Sequence, residues 1–320
     1  MEKSNGNKKL SVHEEKYYYK VQVSSLGLGS SMLFYFQQAS TLLLRVCDKL
    51  RLRSQLVGSN GQPVQLVGMS LFWSSCGEGE GFYNRETVNS LKCSWNSNVV
   101  RAAMGVEYSG CQRPEFFAYF AQNYGSKYPN IIYETFNEPL QVDWNGVKSY
   151  HEQVVAEIRK YDNKNVIVLG STTWSQDVDT AANNPVRGSN LCYSLHYYAA
   201  THKQNLRDKA QAAMNKGACI FVTEYGTVDV SGGGGVDEGS TKEWYNFLDS
   251  KKISSLNWAI SNKAEGAAAL TPGTTSSQVG NDDRLTASGR LVKSYIKSKN
   301  TGVRCNGGGA AKKGSSSSNT

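Results

Sequence analysis

Short apolar runs, rich in β-branched and aromatic residues, recur along the chain between residues 50 and 299. They begin near Val64, Asn98, Asn130, Asn165, Leu191, Ala218 and Ser254. Several runs are apolar over most of their length, which is typical of parallel strands buried on both faces. The segments between them have helical spacing: apolar residues from Val147 to Tyr161 recur every three or four positions and form one helix face. This alternation predicts a parallel α/β protein built from strand–helix units.

Polar, charged or aromatic residues follow the apolar part of each run. They are Arg101, Asn137, Glu138, Trp174, His196, Tyr197, Tyr198, Glu224, Tyr225 and Trp258. In a parallel barrel the carboxyl ends of all strands meet on one face, where catalytic groups lie. A doubly wound sheet would instead have a glycine-rich first loop, which the sequence lacks. The pattern therefore favours a (β/α)₈ barrel with a polar mouth.

Two glutamates, Glu138 and Glu224, are placed to reach this mouth from different strands. Two carboxylates are the minimum for hydrolysing a glycosidic bond, because one protonates the leaving oxygen and the other attacks the anomeric carbon or activates water. Either glutamate alone is more simply explained as a salt-bridged acid. The pair, accompanied by an arginine, a histidine, tyrosines and tryptophans that can stack on sugar rings, favours catalysis on carbohydrate.

Composition narrows the functional classes. The hydrophobic fraction of 39% is enough for a sizeable core and excludes wholesale disorder. The net charge of +8 comes from basic residues that are spread thinly, so neither a nucleic-acid partner nor a stable membrane partner is expected. The absence of H-E-x-x-H, Walker A and G-x-S-x-G motifs argues against a metalloprotease, a P-loop protein and a serine hydrolase. We expect a monomer without metal or cofactor.

The seven cysteines include no C-x-x-C pair, so a zinc ribbon or thioredoxin chemistry is not expected. Cys192 and Cys219 lie inside apolar runs and are interpreted as small core residues. Cys76 and Cys111 could form a disulfide in a secreted protein, but their spacing alone does not decide it.

The two ends of the chain differ from its middle. Residues 26–44 are uncharged but contain glutamines, serines and glycines, so they are interpreted as a degraded secretion signal or an unstructured extension rather than a membrane span. Residues 306–320 are rich in glycine and serine and predict a flexible linker. We divide the chain into an extension (1–49), a catalytic barrel (50–300) and a tail (301–320). A hairpin is predicted from residues 50–57 and 63–68 around Asn60-Gly61.

Four segments together resemble glycoside hydrolase family 5. They are IYETFNEP (132–139), LHYY (195–198), FVTEYG (221–226) and NWAIS (257–261). Within the family the resemblance is closest to the secreted β-1,4-endoglucanases of plant-parasitic nematodes and their bacterial relatives. It extends from about residue 50 to residue 299.

The resemblance implies roles for individual residues. Glu138 resembles the acid/base and Glu224 the nucleophile of a retaining mechanism. Arg101 resembles the arginine beside the nucleophile, where a positive charge keeps a carboxylate ionised. Asn137 resembles the residue that binds the sugar 2-hydroxyl.

Other positions resemble the family's positioning and substrate-binding residues. His196 and Tyr198 match the pair that orients the acid/base and the nucleophile. Trp258 matches the platform under the sugar at the cleavage point. The positions matched to the substrate groove are Trp174, Lys263 and Glu265.

The resemblance also implies a function and a location. It implies a secreted, extracellular endo-β-1,4-glucanase that hydrolyses cellulose or related β-glucans of plant cell walls without a cofactor. Two alternatives stay open. One is a non-catalytic carbohydrate binder or inactive truncated variant, and the other is an endo-β-mannanase.

One strand–helix unit of the family is missing. Between Val106 and Asn130 there is room for a loop and one helix, Pro114–Tyr124, but for no strand. Relatives carry a third strand here, which ends at an active-site histidine. The gap predicts unpaired strand edges, a poorly folded chain and weak activity. An imperfect gene model or splice variant and a true seven-stranded barrel both stay open as explanations.

Overall fold

The computed structural model describes residues 31–35, 45–46, 54–74, 76–104 and 114–305 of the 320-residue chain. The strands in these residues are β1 (Ser31–Tyr35), β2 (Arg45–Val46), β3 (Leu56–Val57), β4 (Val67–Leu71), β5 (Val99–Ala103), β6 (Ile131–Glu134), β7 (Ile167–Leu169), β8 (Leu191–Tyr198), β9 (Ile220–Gly226) and β10 (Ser254–Ile260). The helices are α1 (Gly77–Glu80), α2 (Arg85–Cys93), α3 (Pro114–Tyr124), α4 (Trp144–Arg159), α5 (Thr172–Ser175), α6 (Val178–Asn183), α7 (Gln204–Asn215), α8 (Glu238–Lys251) and α9 (Ala287–Lys297). Short 3₁₀ helices cover Gly125–Lys127, Ser276–Gln278 and Asp282–Arg284.

The strands close into a barrel in the order β1-β5-β4-β10-β9-β8-β7-β6. The seven strands from β4 to β10 are parallel, and helices connect them along the chain. Between β5 and β6 the described residues form one helix, α3, with the predicted bounds. The predicted barrel, which lacks its third strand–helix unit, is therefore confirmed.

Strand β1 occupies the place between β5 and β6. It is antiparallel to both: Ser31 is level with Ala103 and Glu134, and Tyr35 is level with Val99. The expectation that the missing unit leaves strand edges unpaired is wrong. The physical reason is that ladder hydrogen bonds satisfy an edge in either direction, at a strand spacing of about 4.8 Å. The expectations that the missing unit makes the chain poorly folded and weakly active stay predictions.

The region before β4 contains short paired segments. β2 pairs with β3 in an antiparallel two-stranded sheet, and Val57 bridges to Pro63 across the turn. Gly61 has a φ of 73°, a left-handed conformation that glycine adopts without strain, so the predicted turn is confirmed. Of residues 26–44, the structure describes only those of β1. The division of the chain at residues 49 and 300 stays a prediction, as does the nature of residues 306–320, which lie outside the described residues.

None of the helices in the described residues is long and apolar enough to cross a bilayer.

Apolar residues pack on both sides of the barrel wall. One core cluster joins the strands to the helices, whereas a second contains strand residues that alternate with those of the first, such as Val99 beside Val100 and Ile132 beside Ile131. Since neighbouring side chains of a strand point to opposite faces, the second cluster fills the barrel interior. Its members are Leu56, Leu66, Val99, Ile132, Val166, Val168, Cys192, Cys219, Phe221 and Leu256. It forms an apolar base beneath the polar mouth.

Two disulfides change the interpretation of the cysteines. Cys192 and Cys219 are buried as expected, but they are bonded to each other, because pairing of β8 with β9 brings their Cα atoms to 4.5 Å. Cys93, the last residue of α2, is bonded to Cys305. Cys76 is a free thiol, and its possible partner Cys111 lies outside the described residues.

A buried histidine on α4 holds the ends of two strands. His151 Nε2 lies 2.8 Å from Gly170 O, just after β7, and therefore donates to it. Its Nδ1 lies 3.0 Å from the hydroxyl of Thr135, which directly follows β6 and begins the segment that carries Glu138. A neutral imidazole satisfies both contacts. Burial, opposed by the hydrogen bond to Gly170, lowers the pKa of His151 to about 4.

The strand β1 gives a first prediction. We expect Leu33→Pro to destabilise the protein by about 1–3 kcal/mol, because each N–H of β1 faces β5 or β6 and proline removes one donor from the ladder. Leu33→Val keeps the N–H and is the matched control. Urea unfolding followed by tryptophan fluorescence measures both variants, and equal midpoints would contradict the place of β1 in the barrel.

His151 gives a prediction on stability against pH. Its pKa is about 6.5 in an unfolded chain, so its neutral, buried form adds stability that is present above pH 6.5. This stability is lost as the pH falls from there towards 4, by up to about 3 kcal/mol. Urea unfolding at several pH values should show a steeper acid loss for the wild type than for His151→Gln. Parallel curves would show that His151 is not the group responsible.

Candidate active site

The polar residues expected at the strand ends meet at the carboxyl-terminal mouth of the barrel. They come from β5, β8, β9 and β10, and from the segment after β6. Seven of these residues each contact at least one other member of the set. They are Arg101, Asn137, Glu138, His196, Tyr198, Glu224 and Trp258. The site therefore consists of side chains far apart in sequence that the parallel strands bring together.

The two glutamates approach each other closely. One carboxylate oxygen of Glu138, one of Glu224 and a ring nitrogen of His196 lie within 4.8 Å of one another. Glu224 is 5% exposed at the end of β9, whereas the side chain of Glu138 is 27% exposed in the segment after β6. The two carboxyl groups therefore share one cleft but differ in their access to solvent.

Arg101 is buried, and three of its nitrogens donate to four side chains, one of them the Ser70 hydroxyl at 3.3 Å from Nη1. Its Nε donates to Glu134 Oε2 at 2.7 Å, and its Nη1 donates to Glu224 Oε2 at 2.9 Å. Its Nη2 donates to the side-chain oxygen of Asn137. Burial opposes its charge, but the two carboxylates outweigh burial and raise the pKa of Arg101. It is a permanent positive charge beneath the cleft.

Glu224 is held from both sides. Its Oε2 accepts from Arg101, and its Oε1 accepts from the Tyr198 hydroxyl at 2.9 Å. Burial raises the pKa of Glu224, while the positive charges of His196 and Arg101 and the bond from Tyr198 favour the ionised form. Burial, with the nearby Glu224, also raises the pKa of Tyr198, so its phenol keeps the proton that it donates. The result is a buried carboxylate with a fixed orientation.

His196 is the partner of Glu138. Its Nδ1 donates to Glu138 Oε1 at 2.8 Å, and its Nε2 lies 2.9 Å from the hydroxyl of Thr223. Burial disfavours its charged form, but contacts with Glu134 and Glu138 prevail and raise the pKa of His196 to about 9. The imidazole is thus a second positive charge near the two glutamates.

An aromatic floor lies beside the carboxylates. The Trp258 ring packs against Phe72 and Trp73, at centroid distances of 5.2 and 4.9 Å. The guanidinium of Arg101 lies 5.8 Å from the Trp258 ring centre. Sequence reasoning identified Trp258 but missed Phe72 and Trp73, although they directly follow β4 and the strand-end rule that found the others applies to them as well.

Three further predicted residues lie at separate positions around the cleft. Trp174 is 40% exposed after β7, and its backbone N donates to Pro139 O at 2.8 Å, which ties it to the segment of Glu138. Lys263 forms an ion pair with Glu265 at 2.6 Å, and its ammonium lies 5.6 Å from the Phe72 ring centre. The structure therefore connects Lys263 to the aromatic floor, and Trp174 to the segment that carries Glu138.

Sequence reasoning also missed two polar residues beneath the cleft. Glu134 is fully buried at the end of β6, where it binds Arg101, and Thr223 precedes Glu224 and contacts His196. Both belong to segments that carry the family resemblance, 132–139 and 221–226. The available signal was a charged or hydroxyl residue inside an otherwise apolar strand, which is costly unless it is paired.

Glu138, His196 and Glu224 are a group within the described residues that could hold a metal ion. Each of these side chains already binds a protein partner, and two of the partners, Arg101 and the Tyr198 hydroxyl, are donors aimed at the same carboxylate. This arrangement suits a reaction carried by the carboxylates themselves. That no metal or cofactor takes part stays a prediction.

Comparisons with known proteins agree with the site. Residues 109–264 match the family model Cellulase (glycosyl hydrolase family 5). Endoglucanase Z of Dickeya dadantii is 41% identical over 72% of this chain and 62% of its own length. Cellulase CelDZ1 of a Thermoanaerobacterium species is 31% identical over 84% of this chain and 85% of its own length. A solved structure from Cytophaga hutchinsonii has 38% identity and a TM-score of 0.73, and the match covers 79% of this chain and 94% of that one.

Coverage differs between these relatives. The chain spans less than two thirds of the length of endoglucanase Z, and likewise of an endoglucanase of Clostridium saccharobutylicum, at 64%. It spans most of the length of CelDZ1. These relatives are bacterial, and the resemblance to nematode enzymes stays a prediction.

Proposed function

The chain belongs to glycoside hydrolase family 5, and from this premise we propose that it is an endo-β-1,4-glucanase that cleaves internal bonds of cellulose or related β-glucans. The observation that carries the proposal is the pair of carboxylates, Glu138 and Glu224, with oxygens within 4.8 Å of each other. The names of the relatives, endoglucanase and cellulase, support the substrate class.

The separation of the two glutamates supports a retaining mechanism. Retaining enzymes hold their carboxyl groups about 5–5.5 Å apart, whereas inverting enzymes need about 6.5–9.5 Å to admit a water between acid and base. In the first step Glu224 attacks the anomeric carbon, while Glu138 gives its proton to the departing oxygen. In the second step Glu138 takes a proton from water, whose oxygen displaces Glu224 from the sugar.

The surroundings of each glutamate suit its proposed role. Arg101 and Tyr198 donate to Glu224, which favours its ionised form against burial and aims the carboxylate for attack. His196 donates to Glu138 and orients it towards the leaving oxygen. Arg101 also fixes the side-chain oxygen of Asn137, so that the amide nitrogen of Asn137 is the end left to a substrate hydroxyl.

The remaining properties of the protein follow from this substrate. A polymeric glucan of the plant cell wall lies outside the enzyme-producing cell, so we propose that the protein is secreted. We further propose that residues 50–300 form the catalytic unit, that the protein acts as a monomer, and that it uses no cofactor. Its Lys263, Glu265 and Trp174 would bind glucose units on either side of the cleavage point.

Substrate choice and stereochemistry test the proposal. We expect hydrolysis of soluble cellulose and mixed-linkage β-glucan, with little activity on mannan. Proton NMR during early turnover should show the β anomer first, because two inversions retain configuration. Faster hydrolysis of mannan would indicate a mannanase, and glucan binding without hydrolysis would indicate a carbohydrate binder. An initial α product would contradict the roles of the two glutamates.

Variants of the glutamates complete this test. Glu138→Gln and Glu224→Gln should each lower kcat by at least about a thousandfold while glucan binding stays near the wild-type level, because shape is kept and the proton donor or nucleophile is lost. Glu152→Gln, on the partly exposed face of α4, is the matched control. More than a few per cent of residual activity in either variant would remove that residue from its proposed role.

The two tryptophans should differ in kinetics. Trp258 lies on the floor beside Arg101, so its contact tightens as the reacting sugar flattens, and Trp258→Ala should lower kcat by about tenfold or more. Exposed Trp174 should mainly bind, so Trp174→Ala should raise KM several-fold with kcat changed less than about twofold. Steady-state kinetics measured below the melting temperature of each variant test this difference. A lower kcat in Trp174→Ala together with only a higher KM in Trp258→Ala would contradict the two assigned positions.

A further inference from the structure

We propose that Glu134 is a positioning residue of the active site, whose buried carboxylate fixes Arg101 against the nucleophile and supports the positive charge of His196. This inference rests on the proposed function, since the reaction that Glu134 would serve is the one carried by Glu138 and Glu224. Glu134 itself lies beneath the cleft and acts through its neighbours rather than on the sugar.

One carboxylate oxygen of Glu134 fixes Arg101. Its Oε2 accepts from Arg101 Nε at 2.7 Å, and both side chains are fully buried. On the other side of the same guanidinium, Nη1 and Nη2 donate to Glu224 and Asn137. The guanidinium is planar, so a bond at Nε sets the direction of the Nη groups. Glu134 thereby decides where the donor to Glu224 lies.

The other oxygen of Glu134 faces His196. Glu134 Oε1 has no hydrogen-bond partner among the described residues, and it lies 3.9 Å from His196 Nε2. A buried carboxylate oxygen without a bond is costly unless a nearby positive charge compensates it. Burial would favour the neutral acid, but Arg101 and His196 lower the pKa of Glu134 to about 2. The carboxylate therefore stays ionised throughout the pH range in which enzymes of this kind are assayed.

The other groups that could change the charge balance around Glu134 come from the neighbouring strands. The strands paired with β6 place Ser31 and Val168 level with Glu134, and neither titrates. From β9, Thr223 contributes a hydroxyl to His196, and Glu224 contributes a carboxylate. From β8, Tyr198 is held protonated, since its pKa is raised by burial and by Glu224. His202 is near Glu138, and burial lowers its pKa and favours its neutral form.

The resulting balance matches the first catalytic step. When Glu138 carries the proton that it must give away, two positive groups, Arg101 and His196, face two negative groups, Glu134 and Glu224. Neutralising Glu134 would leave an excess positive charge in a buried site. That excess would favour the deprotonated form of each neighbouring group, including the acid and the imidazole. Glu134 thus balances the positive charge that Arg101 and His196 bring to the first step.

Glu134→Gln tests the charge separately from the shape, because glutamine keeps the size and an oxygen that accepts from Arg101. On soluble cellulose, the full-length variant should show a kcat at least about tenfold lower, with KM changed less than about threefold. Both limbs of its kcat/KM profile should move to lower pH by about one unit. Glu152→Gln, which removes a carboxylate from the outer face of α4, should change neither quantity.

A purely structural role would give a different result. A lower melting temperature with an unchanged pH profile in the folded fraction would overturn the proposal. If Glu134→Gln does not melt cooperatively, Glu134→Asp replaces it, because aspartate keeps the charge but is one methylene too short to reach both Arg101 and His196. We then expect a kcat at least about tenfold lower, with both limbs at their wild-type pH. Wild-type kcat in Glu134→Asp would overturn the proposal as well.

Titration of His196 separates this inference from the proposed function. Side-chain NMR, with the His196 signal assigned by its loss in His196→Asn, should show a lower midpoint in Glu134→Gln than in the wild type. This measurement does not depend on turnover. A wild-type chain that hydrolyses no glucan would contradict the proposed function, whereas an unchanged His196 midpoint would overturn the role of Glu134.

Discussion

The buried positive charge of Arg101 is the constraint on which the cleft depends. Burying a cation costs several kcal/mol, and ionised partners with good geometry are needed to offset that cost. Glu134 and Glu224 meet this need at 2.7 and 2.9 Å, and they raise the pKa of Arg101. The same contacts with Arg101 favour the ionised form of Glu224, which we propose as the nucleophile. The stability of the buried charge and the chemistry of the cleft therefore have one cause.

The closure of the barrel sets the geometry of this ion pair. Arg101 belongs to β5 and Glu134 to β6, and these strands are not neighbours, because β1 lies between them. If β5 and β6 paired directly, their side chains would move closer together by one strand spacing, about 4.8 Å. The barrel would also lose a strand, which changes its diameter and tilt together. β1 therefore preserves the distance across which Arg101 reaches both Glu134 and Glu224.

Sequence reasoning recovered the features that depend on local pattern. The parallel strands and the positions of Glu138, Glu224, His196 and Trp258 follow from apolar runs that end in polar residues, and helix α3 follows from the segment between two such runs. Features that depend on distant partners were not recoverable. The segment SMLFY of β1 lies in the uncharged residues 26–44, which are interpreted as a signal or an extension, and its partners are residues 99–103 and 131–134. The Cys93–Cys305 bond spans 212 residues, and the partner of Glu134 lies 33 residues away.

The direction of β1 matters for the mouth of the barrel. A parallel third strand would bring its carboxyl end, followed by a strand–helix loop, to the catalytic face. Because β1 is antiparallel, its first residue, Ser31, lies there instead, level with Ala103 and Glu134. The reversed strand can thus supply the missing width and hydrogen bonds of the wall, but it cannot supply the strand end at which the family resemblance implies a histidine. The hydrogen bonding of the barrel wall and the residues at its rim therefore depend on different properties of the strand. Either strand direction satisfies the hydrogen bonds of the wall, whereas only a parallel strand would bring a carboxyl end to the rim beside Glu134.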